Sequence, residues 1–340
     1  VTVATFYDSL RSHAETTPNA LAVIENQRGR WVPLSWSDLH TRVDQAAFSL
    51  AGASDAKAVV NAMPQGLGWL VIDFATQALG RTAVSPASLD ADAVVGSLDN
   101  DAVIVAQDVV EATSLAGLAR GRADVLDIND LLGSESGLEM AAQTCWIGLP
   151  GSSNSVRVED VEWVRGLVRS AVLQMGLGPE DVAVVAGPCG EIPTRILTVY
   201  AAIESGAVLA FPERPEATVL SLKQVRPSFG FLPRPVADEL EAILSDRVAR
   251  SRGVKRMLTS AWVRRGGTLT RLVVARPARR LLGLSGARHL LIQDAQVPHL
   301  DKLGAAIRLV DDYLAGLNGP DKRSDVFDSP VSETSPEAAQ

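Results

Sequence analysis

The chain has 340 residues, 46% of them hydrophobic, with a mean hydropathy of +0.12 and a formal net charge of −8. That is a globular composition with room for a large core and one to three domains. The absence of any uninterrupted apolar run of spanning length excludes a chain threaded through a bilayer as a helix.

The N-terminus carries charges within its first turns and no apolar signal core, so no secretory signal is read there. The period-2 and period-3.6 patterns then alternate for most of the length. Strands are predicted over Leu21–Ile24, Ala58–Ala62, Ala102–Ala106, Asp124–Ile128, Thr144–Gly148, Val182–Ala186, Ala207–Phe211, Phe229–Leu232, Leu290–Gln293 and Ile307–Val310. Helices are predicted over Ser37–Leu50, behind an N-cap at Ser35 with Asp38 three residues on, and over Glu159–Met175 and Pro193–Ser205, ending at Gly176 and Gly206. Two more are expected over Val236–Arg250 and Val254–Arg265. The alternation argues an α/β fold with largely parallel sheets covered on both faces. A soft boundary near residues 133–142 divides an N-terminal lobe (1–136) from a second lobe (137–319), and the polar stretch 320–340 reads as disordered.

Two cysteines, Cys145 and Cys189, lie far apart, and the four histidines (His13, His40, His289, His299) show no metal spacing. Neither a disulfide framework nor a structural zinc is expected, and a reducing cytoplasm fits best. No G-x-S-x-G occurs (Gly283-Leu284-Ser285-Gly286 lacks the spacing), nor does G-x-G-x-x-G after a strand, H-E-x-x-H or C-x-x-C. Charge is uneven: from Arg247 to Gln293 there are twelve Lys/Arg and no Asp or Glu. This basic region, centred on 247–280, reads either as solvated helices or as a surface for anionic lipid or an acidic partner. Aromatics do not interleave with its arginines, which argues against nucleic acid.

The most suggestive stretch is Cys145–Glu159. An apolar run meets a small polar turn, Gly151-Ser152-Ser153-Asn154-Ser155, with Arg157 close behind and a helical pattern after it. Small residues, hydroxyls and a nearby cation are the parts of a phosphate-cradling loop. The turn has one glycine and no lysine, and Pro150 removes a backbone donor.

Several stretches together resemble the adenylate-forming (AMP-dependent synthetase/ligase) superfamily, and within it the long-chain fatty acyl-CoA synthetases. The opening carries Thr17-Pro18-x-x-x-Ala22 before the first strand, then Trp31-x-x-Leu34-Ser35-Trp36-x-x-Leu39 leading into a helix. Gly68–Asp73 and Ala78–Val84 are similar to further family segments, and Leu222–Arg234, with Val225-Arg226-Pro227 at its centre, is the most specific match. The resemblance implies the layered α-β-α-β-α N-terminal body of such an enzyme, with mixed and parallel sheets. It also implies a two-step chemistry, in which a carboxylate attacks the α-phosphate of ATP and a thiol, usually coenzyme A, then displaces AMP.

Under that resemblance, Gly151, Ser152, Ser153 and Arg157 align with the triphosphate loop T-S-G-T-T-G-x-P-K-G, and Arg157 keeps a lysine's charge in another shape. Pro188–Arg195 aligns with P-L-x-H-x-x-E-R, with Glu191 where the family has a histidine near the acyl site. A simpler role for Glu191 is to compensate the dipole of the helix it starts. Gln293–Val297 aligns with the adenine-contacting G-G-A-P, of which only Ala295 remains. Tyr313–Leu317 aligns with Y-G-x-T-E: Tyr313 is kept, but Leu317 stands where the Mg²⁺-holding glutamate would be, and leucine cannot ligate a hard cation. The family's ribose-binding aspartate, hinge and mobile lid would lie beyond Gly319, where this sequence continues as the polar tail, so a body without the lid is expected. Gly151, Ser152, Ser153, Arg157 and Tyr313 are thus a remnant nucleotide site, with no catalytic residue, metal or cofactor expected. The leading expectation is an inactive relative that binds an acyl ligand, or scaffolds a protein partner or a second copy. The alternatives are an active ligase using ATP, Mg²⁺ and coenzyme A with atypical motifs or a lid supplied in trans, and a peripheral adaptor binding anionic lipid through 247–280.

Overall fold

The computed structural model describes residues 5–86, 102–107, 124–131, 146–150, 156–250, 276–292, 300 and 307–309. The chain opens with α1 (Phe6–Thr16), capped by Thr5 in a box closed by Asp8: the Asp8 carboxylate accepts from the Thr5 amide at 2.7 Å, and the Thr5 hydroxyl accepts from the Asp8 amide at 3.3 Å. A hairpin follows, β1 (Leu21–Gln27) and β2 (Arg30–Ser35), and leads into α2 (Trp36–Ala53). Ser35 caps α2 by accepting from the Asp38 amide at 3.1 Å, as its spacing foretold. Then come β3 (Ala58–Asn61), α3 (Leu67–Ala78), β4 (Thr82–Val84), β5 (Ala102–Ala106), β6 (Asp124–Asp127) and the single turn α4 (Ile128–Leu131).

A second hairpin joins β7 (Trp146–Pro150) to β8 (Val156–Asp160), and α5 (Val161–Met175) starts directly behind it on an Asp160 cap. Beyond β9 (Val182–Val184), helix α6 is built in three pieces: Ile192–Thr194, a π-helical stretch Arg195–Tyr200, and Ala201–Ser205. The expected stops hold: Gly176 and Gly206 adopt left-handed φ of 57° and 76°. The order continues with β10 (Val208–Phe211), α7 (Thr218–Val225), β11 (Phe229–Leu232), α8 (Arg234–Arg250), α9 (Arg276–Leu282), β12 (His289–Ile292) and β13 (Ile307–Leu309).

The strands form two mixed sheets. One has seven strands in the order β13-β12-β11-β9-β10-β1-β2, the other six in the order β6-β5-β3-β4-β7-β8. In each, all neighbours are parallel except one hairpin at the edge, β1–β2 in the first and β7–β8 in the second. Sheet membership crosses the 136/137 division both ways: β1 and β2 belong to the sheet made mostly of later strands, and β7 and β8 to the sheet of earlier ones. The main core lies between the sheets, where α1, α2, α3, α5 and α6 pack against both. A second core backs the seven-stranded sheet with α7, α8 and α9. A third, small one (Val60, Ala62, Val84, Ala102, Ile104, Ala106) lies on the far face of the six-stranded sheet. The α/β architecture with mixed and parallel sheets flanked by helices is therefore as read from the sequence.

Three strands escaped the sequence reading: β2, β4 and β8. The last corrects the picture of the Cys145–Glu159 stretch. The turn does not run into a helix; Val156–Asp160 pairs antiparallel with β7, Pro150 opposite Val156 and Leu149 opposite Arg157. The helical period was extended two residues too far toward the N-terminus, over positions that the edge pairing claims for strand. The predicted helix Val254–Arg265 lies outside the described residues.

Candidate functional site

The parallel strands of both sheets bring their carboxyl ends to one cleft of about 660 Å³. Glu25 comes from the end of β1, Asn61 from β3, Pro86 from just past β4, Gln107 from just past β5, Pro188–Gly190 from beyond β9, and Glu213 and Arg214 from beyond β10. Open α/β sheets bind ligands at such carboxyl ends. The loop Met63–Gly66, with the first residue of α3, ties the two sheets together across the cleft. Gln65 donates to the Val185 carbonyl at 2.8 Å, and the Glu25 carboxylate accepts from the Leu67 amide at 2.9 Å, capping α3 from the other sheet. Gly66 permits this: a Cβ there would lie 3.3 Å from the Glu25 carboxylate.

Among the described lining residues the charged side chains are Glu25, Glu213 and Arg214. The wall made by Pro188, Cys189 and Gly190 leads into α6. Cys189 is a buried free thiol, and burial pushes its pKa well up, so it is not a poised nucleophile. Glu191 is the N-cap residue of α6, yet its side chain makes no capping hydrogen bond, and burial raises its pKa above the usual carboxylate value. The dipole role foreseen for it is therefore not made through a hydrogen bond to the helix's free amides.

One turn into α6 the chemistry changes. Arg195 is fully buried and pairs with the Asp73 carboxylate from α3. Its Nε donates to the Tyr200 hydroxyl at 2.8 Å, which donates to the other Asp73 oxygen at 2.8 Å; Gln77 donates to that oxygen at 3.0 Å. The π-helical stretch makes this set possible, because i→i+5 bonding brings residues five apart onto one face. The guanidinium lies 5.6 Å from the Trp69 ring centroid, and Phe6 stacks on Tyr200 at 4.1 Å. Burial works against the charge of Arg195, but Asp73 and Tyr200 more than offset it and hold its pKa above the free value. The sequence reading kept Arg195 as a family match and missed its partners. The available signal was Asp73, the one charged residue in the largely apolar helix Leu67–Ala78.

No family model and no curated protein sequence matches the chain. Solved structures do. The N-terminal subdomain of Klebsiella oxytoca NpsA in complex with 3-hydroxybenzoyl-AMSN superposes with a TM-score of 0.61 at 13% identity, over 90% of this chain and 70% of that one. A fatty acyl-adenylate ligase from L. pneumophila, with acyl adenylate and pyrophosphate, gives 0.59 at 12% identity over 86% of this chain. The o-succinylbenzoate CoA synthetase MenE from Bacillus subtilis, with its acyl-adenylate intermediate, gives 0.60 at 12% over the same share. This chain has the fold of the N-terminal body of adenylate-forming enzymes. It spans 50% and 54% of the last two proteins.

In this adenylate-forming fold the predicted site residues are placed unevenly. The backbone of Arg157 is in β8, opposite Leu149; Gly151, Ser152, Ser153 and Tyr313 lie outside the described residues. β7 runs parallel to β4, with Val84 opposite Gly148, so the hairpin leaves the sheet at the edge where Pro86 lines the cleft. Of the basic region, only its two ends, in α8 and α9, are described. Among the described residues, no helix is long and apolar enough to cross a membrane, and no three His, Cys, Asp or Glu side chains converge as metal ligands.

Proposed function

We propose that this chain is an adenylate-forming fold used for binding rather than for adenylation, holding an acyl ligand or scaffolding a protein partner such as an active synthetase. The observation that carries this reading is the charge of the cleft. Its described lining offers two carboxylates, Glu25 and Glu213, against one guanidinium, Arg214. Adenylation concentrates negative charge on the transferring phosphorus and needs cations around it. The described residues do not fit that demand. Arg195 does not remedy it, being sealed between Asp73 and Tyr200. Leu317, at the position the resemblance gives to a Mg²⁺ ligand, points the same way. An acyl chain or an apolar partner segment makes no such demand, and Met63, Trp69 and Pro86 offer it apolar contact. ATP–pyrophosphate exchange by the full chain, over a panel of fatty and aromatic acids with Mg²⁺, is expected to stay at the blank; clear turnover with any acid overturns the reading.

A second reading, an active ligase with atypical motifs, is favoured by the β7–β8 hairpin, which sets the backbone of Arg157 just past the Gly/Ser turn. It predicts saturable ATP binding that Arg157→Ala and Ser152→Ala each weaken at least tenfold. Calorimetry without heat at millimolar ATP, with and without Mg²⁺, ends it.

A further inference from the structure

We propose that the C-terminal ends of α7 and α9 form a docking face for an anionic membrane surface. The two helices are locked together by backbone contact. A Cβ on Gly283 would lie 2.3 Å from the Leu222 carbonyl oxygen, and one on Gly286 would lie 2.7 Å from that of Arg226. The last turns of both helices therefore present their side chains as one surface. Lys223, Arg226 and Arg280 are exposed there and Arg276 is exposed one turn before Arg280, and among the described residues none of them has a carboxylate partner. Arg276 and Arg280 stand four apart, where like charges on one helix face repel. Nearby cations do have partners: Arg288 pairs with Asp181, Arg250 with Asp246, and Arg279 donates to the Ala287 carbonyl. On a chain of net charge −8, a cationic face without carboxylate partners among the described residues is a local reversal.

Two further features favour a bilayer over an acidic protein. Leu220, three residues before Lys223, is 57% exposed, and Leu281, beside Arg280, is 39% exposed. Leucines beside cations match an interfacial surface, in which apolar side chains enter the acyl boundary and basic ones meet the headgroups. The face also lies at the amino ends of β11 and β12, the opposite end of the parallel sheet from the cleft, so docking there leaves the cleft open to solution. Arg226 itself adopts a left-handed φ of 56°, at a helix end where glycine is the unstrained choice. The proposal is independent of whether the cleft adenylates anything.

The test is co-sedimentation of the full chain with phosphatidylcholine vesicles, with and without 30% phosphatidylglycerol. Binding is expected only to the anionic vesicles and is expected to fall with salt. Arg276→Glu with Arg280→Glu should weaken it roughly thirty-fold or more. Arg226→Gly should weaken it about five-fold while folding at least as stably as the parent, because it removes the charge and suits the backbone. The second variant decides alone if the first does not fold. Equal binding to neutral vesicles, unchanged binding by a folded variant, or no vesicle binding with capture of an acidic protein instead would each overturn the proposal.

Discussion

Helix α6 carries a glutamate at each end, and the two behave oppositely to what the helix dipole alone would dictate. Glu191 sits at the N-terminus, where negative charge is favoured, yet its pKa is raised by burial with no hydrogen bond to relieve it. Glu204 sits in the last turn, where negative charge is disfavoured, yet its pKa is lowered. Burial pushes Glu204 up too, but Ser9 at 2.7 Å, Arg169 at 2.6 Å and Arg165 at 3.0 Å all donate to it and outweigh burial. Explicit donors decide, and the dipole is a small correction. The supplied end ties α1, α5 and α6 together; the unsupplied end follows Gly190, which lines the cleft. The two ends of one helix thus differ in the donors supplied to their carboxylates.

The strongest way to break that contrast is to unpartner the scaffold. Asp73→Ala strands the buried Arg195 and should cost about 3–5 kcal/mol in denaturant unfolding, with much of the loss recovered by adding Arg195→Met. A loss under 1 kcal/mol would mean that the pair is not sealed. Next, Glu204→Ala should cost about 2–3 kcal/mol, since it leaves the buried Arg165 charge with only the neutral Ser9 hydroxyl as acceptor. Because its folded pKa lies below the unfolded one, the contribution of Glu204 is complete above the unfolded carboxylate value, about 4.3, and fades as pH falls through the folded value. The difference in stability between parent and variant should shrink over that acidic window. The smallest effect, of opposite sign, belongs to Glu191→Gln. A carboxyl with a raised folded pKa weakens the fold as pH rises from the unfolded value through the folded one. The amide should therefore gain under about 1 kcal/mol at neutral pH and nothing in acid. A loss at neutral pH would show that Glu191 has a partner after all.

Much of the fold was legible because it rests on local signals. Gly176, Gly206 and Ser35 stopped or started helices where their chemistry says they should, and Ala102–Ala106 and Phe229–Leu232 were bounded to the residue. What escaped depends on distant partners. β8 is a strand because β7 lies beside it, and Arg195 is buried because Asp73 and Tyr200 receive it. Neither fact is written within a few residues of the position it governs. Of the candidate site, the sequence marked the α6 entry and the Gly151–Ser155 stretch but not the strand β8 behind it, while the cleft itself, drawn from six strand ends, is a property of topology alone.

The place of β1 has a further consequence, for the time course of synthesis. Its parallel neighbour is β10, with Val23 opposite Leu209. When β1 and β2 leave the ribosome, only their own hairpin can form; the strand that closes the other edge of β1 is still about 170–190 residues from being made. At ribosomal speeds that is a wait of roughly 10–40 s. Throughout it, the apolar Leu21–Ile24 edge is an open template for pairing with another chain. That edge is closed only when β10 arrives to pair with β1.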